Sequence, residues 1–167
     1  MKLKSLLVLL VVLGFAVGCS TAQLEKEETY VKNEKQVNKV NIQWVTPSEK
    51  DCVTNGGKMD RVQCEAKWLE AKKICHVLNG RLPTIDELKK IVTNCGGELS
   101  AKPYSAIASK NRKNYFYQSC YKNKGFASYY SWSSTVGNSS MAWGNDFKSG
   151  TQDYNDKNRN YYVRCVR

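Results

Sequence analysis

The sequence predicts an α+β domain held by three disulfides, and three observations lead to it. Apolar residues recur at helical spacing around Trp68–Leu78 and again around Ile85–Val92. Short segments rich in tyrosine, serine and glycine follow, with the alternation expected of strands. Six cysteines (Cys52, Cys64, Cys75, Cys95, Cys120 and Cys165) sit within this region, behind an N-terminus that reads as an export signal.

At the N-terminus, Lys2 and Lys4 precede an apolar run from Leu6 to Val17. About a dozen residues are too few for a spanning helix, which needs about 20. Ala16-Val17-Gly18 then gives small residues before Cys19, a pattern that resembles the bacterial lipobox. Residues 1–18 are therefore expected to be a cleaved signal peptide, with Cys19 carrying lipid and the membrane as a partner through that lipid. Ser20 after the lipidated cysteine points to the outer membrane of a bacterial envelope, with the periplasmic or surface face left open. Residues 19–40 carry four bases and four acids without an apolar face, and read as a flexible tether. Residues 41–167 carry 20 bases and 11 acids, so the domain itself is strongly basic.

Within the domain, Ile42, Trp44 and Thr46 alternate in a first strand, Asn41–Thr46, that Pro47 ends. Asp51–Asp60 contains Asn55-Gly56-Gly57 and reads as a loop. Helical periodicity begins near Arg61 and links Cys64, Trp68, Ala71, Ile74 and Leu78, with Asn79-Gly80 as its stop. A second helix starts at Thr84, where Glu87 three residues on completes a capping box. Ile85, Leu88, Ile91 and Val92 give that helix its buried face, and Cys95-Gly96-Gly97 ends it. Strands are expected at Tyr115–Gln118, Tyr130–Ser133, Met141–Lys148 and Tyr161–Arg167, with Trp132 and Trp143 in the sheet core. Arg81-Leu82-Pro83-Thr84 reads as a corner between helices. Arg164 is expected to be buried, facing an acid or donating to loop carbonyls.

Six cysteines in an oxidising compartment imply three disulfides, and 15 pairings are open to them. No Cys-x-x-Cys is present, and the single histidine, His76, reads as a surface or partly buried helix residue, so neither metal nor cofactor is expected. The chain also lacks His-Glu-x-x-His, Gly-x-Ser-x-Gly and suggestively paired carboxylates. No catalytic residue is assigned, and the chain is not expected to be an enzyme.

Five motifs in order carry a family resemblance across residues 41–167. They are Trp68-x-x-Ala71…Cys75, Arg81-Leu82-Pro83-Thr84-x-x-Glu87-Leu88, Ser131-Trp132-Ser133-Ser134-Thr135, Ala142-Trp143…Phe147-x-x-Gly150 and Tyr162-Val163-Arg164-Cys165-Val166-Arg167. The series resembles the Lcl C-terminal domain, a bacterial domain of unknown function named after a collagen-like adhesin. That resemblance implies a C-type-lectin-like fold, related to the formylglycine-generating sulfatase modifiers, with two helices on short antiparallel sheets and adjacent termini. By the same analogy Cys75 pairs with Cys165, leaving Cys52–Cys64 and Cys95–Cys120. Trp143-Gly144-Asn145-Asp146 is similar to the Trp-Asn-Asp element of calcium-dependent lectins, but Gly144 interrupts it and no partner motif accompanies it. Modifier chemistry would need reactive cysteines, which disulfides do not provide.

Two features suggest a binding surface. From Leu99 to Asn145 there are six bases and no acid, with Lys110, Arg112 and Lys113 clustered. Thr135–Asn160 reads as polar loops, with Asn138, Asn145, Asp146, Asp153, Tyr154, Asn155, Asp156 and Arg159 as candidate ligand contacts. A basic face outside the cytoplasm suits acidic glycans and not nucleic acid. The expected function is a non-catalytic, envelope-anchored binding or adhesion domain. A structural lipoprotein that binds another envelope protein is the alternative, and a sulfatase-modifier-like enzyme a more distant one.

Overall fold

A computed structural model describes residues 42–61 and 63–167, so the expected signal peptide, Cys19 and the tether lie outside the described residues. Ile42–Arg167 forms one compact unit. Its elements run β1 (Trp44–Val45), α1 (Glu49–Thr54), β2 (Lys58–Asp60), β3 (Gln63–Ala66), α2 (Trp68–Val77) and α3 (Ile85–Asn94). They continue as α4 (Ala106–Lys113), α5 (Tyr115–Asn123), β4 (Tyr130–Val136), β5 (Met141–Asp146), β6 (Thr151–Asp156), β7 (Tyr161–Tyr162) and β8 (Cys165–Val166). The fold is α+β, with a six-stranded sheet in the order β2-β3-β7-β4-β5-β6 and a two-stranded sheet of β1 and β8. All named pairs are antiparallel except β4 with β7, which meet in parallel at Ser131 and Tyr162.

The ends of the domain are tied together. Gln43 and Arg167 exchange both backbone hydrogen bonds, at 3.2 and 3.0 Å, beside the β1–β8 pair. The disulfides are Cys52–Cys64, Cys75–Cys165 and Cys95–Cys120, the pairing that the lectin-like resemblance implied. Cys75–Cys165 spans 90 residues of sequence and fastens α2 to the final strand.

Several local expectations are corrected. Among the described residues five helices stand where two were expected. Asp51–Asp60 is not a loop: Ser48 caps α1 by accepting from the Asp51 N–H, and β2 follows. The segment after Arg61 is strand before it is helix, because Cys64 and Ala66 point inward in alternation with half-buried Gln63 and Glu65. The spacing from Cys64 to Trp68 fits a helix equally well, which hides that alternation. Tyr115–Gln118 is the start of α5. Asn114 caps it by accepting from the Tyr117 N–H, and Tyr117 and Tyr121, one turn apart, supply its buried face. That packing overrides the strand preference of tyrosine. Tyr161–Arg167 is not one strand but two, since the chain leaves the large sheet at Val163 to pair with β1. The first strand is also shorter than expected, at Trp44–Val45.

The second helix forms as its signals require. Thr84 Oγ1 accepts from the Glu87 N–H at 3.2 Å, and the Glu87 carboxylate accepts from the Thr84 N–H at 2.7 Å. Arg81 grips the same carboxylate through two 2.7 Å hydrogen bonds, which holds its pKa below the ordinary range and raises that of the guanidinium.

Two hydrophobic clusters result. One gathers Trp68, Ala71, Ile74, Leu82, Trp132, Tyr161 and Val163 around Cys52–Cys64 and Cys75–Cys165. Both indoles donate inside it, Trp68 Nε1 to the Ser133 carbonyl at 2.8 Å and Trp132 Nε1 to that of Ala66 at 2.9 Å. The other gathers Leu88, Val92, Tyr117, Tyr121, Phe126 and Phe147 beside Cys95–Cys120, with Trp143 packed against it. Arg164 is buried over the Phe126 ring and donates to the Lys124 carbonyl at 3.0 Å, the loop-carbonyl role expected for it. Burial lowers its pKa.

Candidate functional site

The basic stretch becomes an arm of two short helices. Ser105 caps α4, and Asn114 both ends α4 and caps α5. The arm is fixed to the β5–β6 turn from several directions. Asn111 is buried and donates from Nδ2 to the carbonyls of Glu98 (2.7 Å) and Ser149 (2.8 Å). Gln118 donates to the Lys148 carbonyl at 2.9 Å, and the Tyr117 hydroxyl to that of Phe147 at 2.5 Å. Burial pushes the Tyr117 phenol far above its ordinary pKa, so it stays a neutral donor. Gly150 carries φ +72°, and a Cβ there would lie 2.4 Å from Asn111 Nδ2 and 2.6 Å from the Glu98 carbonyl oxygen. The turn thus needs glycine both for its backbone and for its contact with the arm.

The stretch that lacks acids in sequence is not wholly free of them in space, since Glu98 forms an ion pair with Lys110. Lys102, Arg112, Lys113, Lys122 and Lys124 enter no ion pair among the described residues.

Thr135–Asn160 is not a set of loops. Most of it is the β4 end, β5 and β6, with Met141 opposite Asp156 at one end and Asp146 opposite Thr151 at the other. This placement divides the expected contacts. Asn145 is completely buried, and its Oδ1 accepts from Gln152 Nε2 at 2.9 Å. Asp146 is buried too, with its carboxylate accepting from the Lys148 N–H (3.0 Å) and the Ser149 hydroxyl (2.5 Å). These two residues shape the turn under the arm and are not surface contacts. Asp153, Tyr154, Asn155 and Asp156 lie along β6 at the sheet edge. Asp153 accepts from the Tyr154 N–H, and Ser100 pairs with Thr151, so part of the open edge is already satisfied. Asn138 caps the β4–β5 turn by accepting from Ser140 and Met141, and Arg159 is exposed beyond β6.

The cationic arm and Asn138 consequently belong to opposite ends of the β5–β6 hairpin. Five residue steps along a strand put about 17 Å between those ends. Lys110, Arg112 and Lys113 therefore do not share one small site with the Asn138 turn.

A different set of residues converges at the C-terminal end of α5. Asp60, Arg61, Gln63, Lys122, Ser128 and Tyr162 line a cleft of about 310 Å³. The β2–β3 hairpin supplies the first three, α5 the fourth, the approach to β4 the fifth and β7 the sixth. The Tyr162 hydroxyl donates to the Asp60 carboxylate. Burial and that acid raise the Tyr162 pKa. Asp60 is thereby occupied, while the side chains of Arg61, Gln63 and Lys122 make no hydrogen bond or ion pair among the described residues. Three free donors beside a phenol ring can receive an anionic, hydroxyl-rich group. Of the three donors Arg61, Gln63 and Lys122, only Lys122 lies within the basic stretch of the sequence. Arg61 and Tyr162 are about a hundred residues apart in sequence, and no local pattern joins them.

Among the described residues no group of three or more His, Cys, Asp or Glu is placed to hold a metal ion. No helix there is long and apolar enough to cross a membrane. The only histidine, His76, is exposed on α2.

No curated protein matches the chain. The family model described as the Lcl C-terminal domain matches residues 34–167, which is most of the sequence and the whole of the described unit. This chain belongs to the Lcl C-terminal domain family.

Proposed function

We propose that this chain is an envelope-anchored, non-catalytic binding lipoprotein whose ligand is an acidic glycan. Lipid on Cys19 would hold it at the bacterial outer membrane, and the domain would take the glycan at the cleft between the β2–β3 hairpin and α5. The observation that carries this reading is the convergence of Arg61, Gln63 and Lys122, none of which makes an ion pair or side-chain hydrogen bond among the described residues, on a cleft of about 310 Å³. Lys124 on the same end of α5 extends the positive potential outward. Sulfates or carboxylates would be held by charge-assisted hydrogen bonds, and a sugar ring would lie against Tyr162.

Binding of the full chain to an immobilised sulfated polysaccharide, with neutral dextran as reference, tests the reading. The sulfated polymer is expected to bind and dextran not to. The double variant Arg61→Gln, Lys122→Gln is expected to weaken binding by roughly tenfold or more, the scale of one lost charged hydrogen bond or two. Equal binding to dextran, or no binding to either polymer at low salt, would overturn it. Cross-linking in cells that captured one defined envelope protein through the cleft residues would favour the assembly role instead.

A further inference from the structure

The other end of α5 carries a feature that glycan binding does not use. The three most exposed large hydrophobic side chains of the described unit all lie on the arm: Tyr104 (93% exposed), Phe116 (83%) and Tyr115 (75%). Tyr104 enters α4, and Tyr115 and Phe116 open α5, so the three bracket α4. The Tyr115 and Phe116 rings touch edge to face, with centroids 6.1 Å apart, and neither ring packs on the body of the domain. Lys102 precedes Tyr104, and Arg112 and Lys113 precede Tyr115; among the described residues none of the three is in an ion pair, while Glu98 pairs with Lys110.

We propose that this aromatic and cationic knuckle docks on the surface of an anionic lipid bilayer. Phenylalanine has no polar handle that would explain its display to water, and the touching Tyr115 and Phe116 rings present a contiguous apolar surface, the feature that marks interaction sites. Rings flanked by lysine and arginine are the composition of an interfacial anchor: the rings enter the headgroup region and the cations meet lipid phosphates. A sulfated polymer would satisfy the cations but leave Phe116 in water, which is why the bilayer is the better partner for this end of the arm. Lys122 and the cleft lie toward the other end of α5, six residues beyond Phe116 and about 9 Å along the helix axis, so the two surfaces occupy different ends of the helix.

The knuckle is also rigid. The Cys95–Cys120 bridge, the buried Asn111 amide and the two helix caps hold it, so little ordering is required on contact. With Cys19 as the lipid-bearing residue of the proposed anchor, the 22 residues from 20 to 41 reach at most about 75 Å. A domain of this size is about 35–40 Å across. The chain is thus long enough for any face of the domain to meet the membrane, and the knuckle would select which one does.

The test places the full-length lipoprotein in vesicles of mixed phosphatidylglycerol and phosphatidylethanolamine, or of phosphatidylcholine alone. Acetylation of individual lysines is then read by mass spectrometry. Lys102 and Lys113 are expected to react several-fold more slowly in the anionic vesicles, with Lys50 on α1 unchanged. The exposed-site variant Tyr115→Ser, Phe116→Ser is expected to remove that protection while leaving the circular dichroism spectrum as it was. Equal reactivity in both vesicle types, or protection that survives the double substitution, would overturn the proposal. Protection by a soluble sulfated polysaccharide but not by anionic vesicles would also overturn it, and would assign the knuckle to the glycan surface. The cleft reading is tested separately by Arg61 and Lys122, so either can fail without the other.

Discussion

The cluster around Trp68 and Trp132 and the cluster around Tyr117 and Phe147 are stabilised in different ways. The first contains two disulfides, one of which joins α2 to the last strand, and its two indoles donate to backbone carbonyls of the sheet. The second has one disulfide and a chain of ring contacts, one edge to face and the rest tilted: Trp44, Phe126, Phe147, Tyr121 and Tyr117 each lie within 6 Å of the next. The first therefore closes the topology of the domain, and the second fixes a helical arm to a hairpin turn. Both proposed ligand surfaces involve the arm side. A rigid frame closed elsewhere leaves the outer faces of α4 and α5 free to carry residues that the fold does not need.

Removing disulfides probes this contrast most strongly. Chain-entropy reasoning gives about 4–5 kcal/mol for the bridge spanning 90 residues and about 3–4 kcal/mol for the one spanning 25. Urea unfolding of Cys75→Ser, Cys165→Ser is expected to show the larger loss, and Cys95→Ser, Cys120→Ser the smaller. The reverse order would mean that the arm, and not the sheet, closes the fold.

Tyr117→Phe addresses the arm cluster alone. It removes the hydroxyl that donates to the Phe147 carbonyl and leaves that buried oxygen without its partner. A loss of about 1–3 kcal/mol is expected in the same measurement. A neutral effect would show that the turn does not depend on this contact.

The alkaline limb of stability separates the clusters by pH. Burial raises the pKa of Tyr117 and Tyr121 in the arm, and of Tyr130, Tyr161 and Tyr162 at the sheet. A phenol whose folded pKa exceeds its unfolded value of 10.0 adds stability that is complete below that pH and declines above it. The urea midpoint is expected to be flat to about pH 9 and to fall beyond about pH 10. Tyr117→Phe should make that fall shallower, and an unchanged slope would point to the sheet tyrosines as its source.

The smallest effect is expected at the α3 cap. Thr84→Ala deletes half of the capping box and is expected to cost about 1 kcal/mol. Because Arg81 still holds Glu87, a loss much larger than this would show that the Arg81–Glu87 pair depends on the cap.

What the sequence made legible follows from the range of each signal. The capping box at Thr84 and Glu87 is complete within four residues, and α3 begins where it says. The α+β class and the presence of three bridges were also readable, since element periodicity and an even set of six cysteines need no coordinates. Tyr115–Gln118 was misread because tyrosine favours strands, while the decisive fact, that Tyr117 and Tyr121 pack on Phe147, is a long-range one. Strand β5 was legible in the alternation of Met141–Lys148, but its partner β6 was hidden by the polar residues of the hairpin. Asn145, Asp146, Ser149 and Thr151 are buried there but hydrogen-bonded, a pattern that composition reads as loop. The cleft was the least legible, because Arg61 and Tyr162 meet only through the pairing of β3 with β7, and Lys122 reaches them from α5.

The most direct test of the central claim is the dissociation constant of the full chain for a sulfated polysaccharide, measured across a salt series with and without Arg61→Gln, Lys122→Gln. An acidic ligand held by free cations should bind more weakly as salt rises, and the double variant should bind more weakly at low salt with a shallower salt dependence. Binding that ignores salt, or a variant whose curve overlays that of the parent chain, would contradict the account.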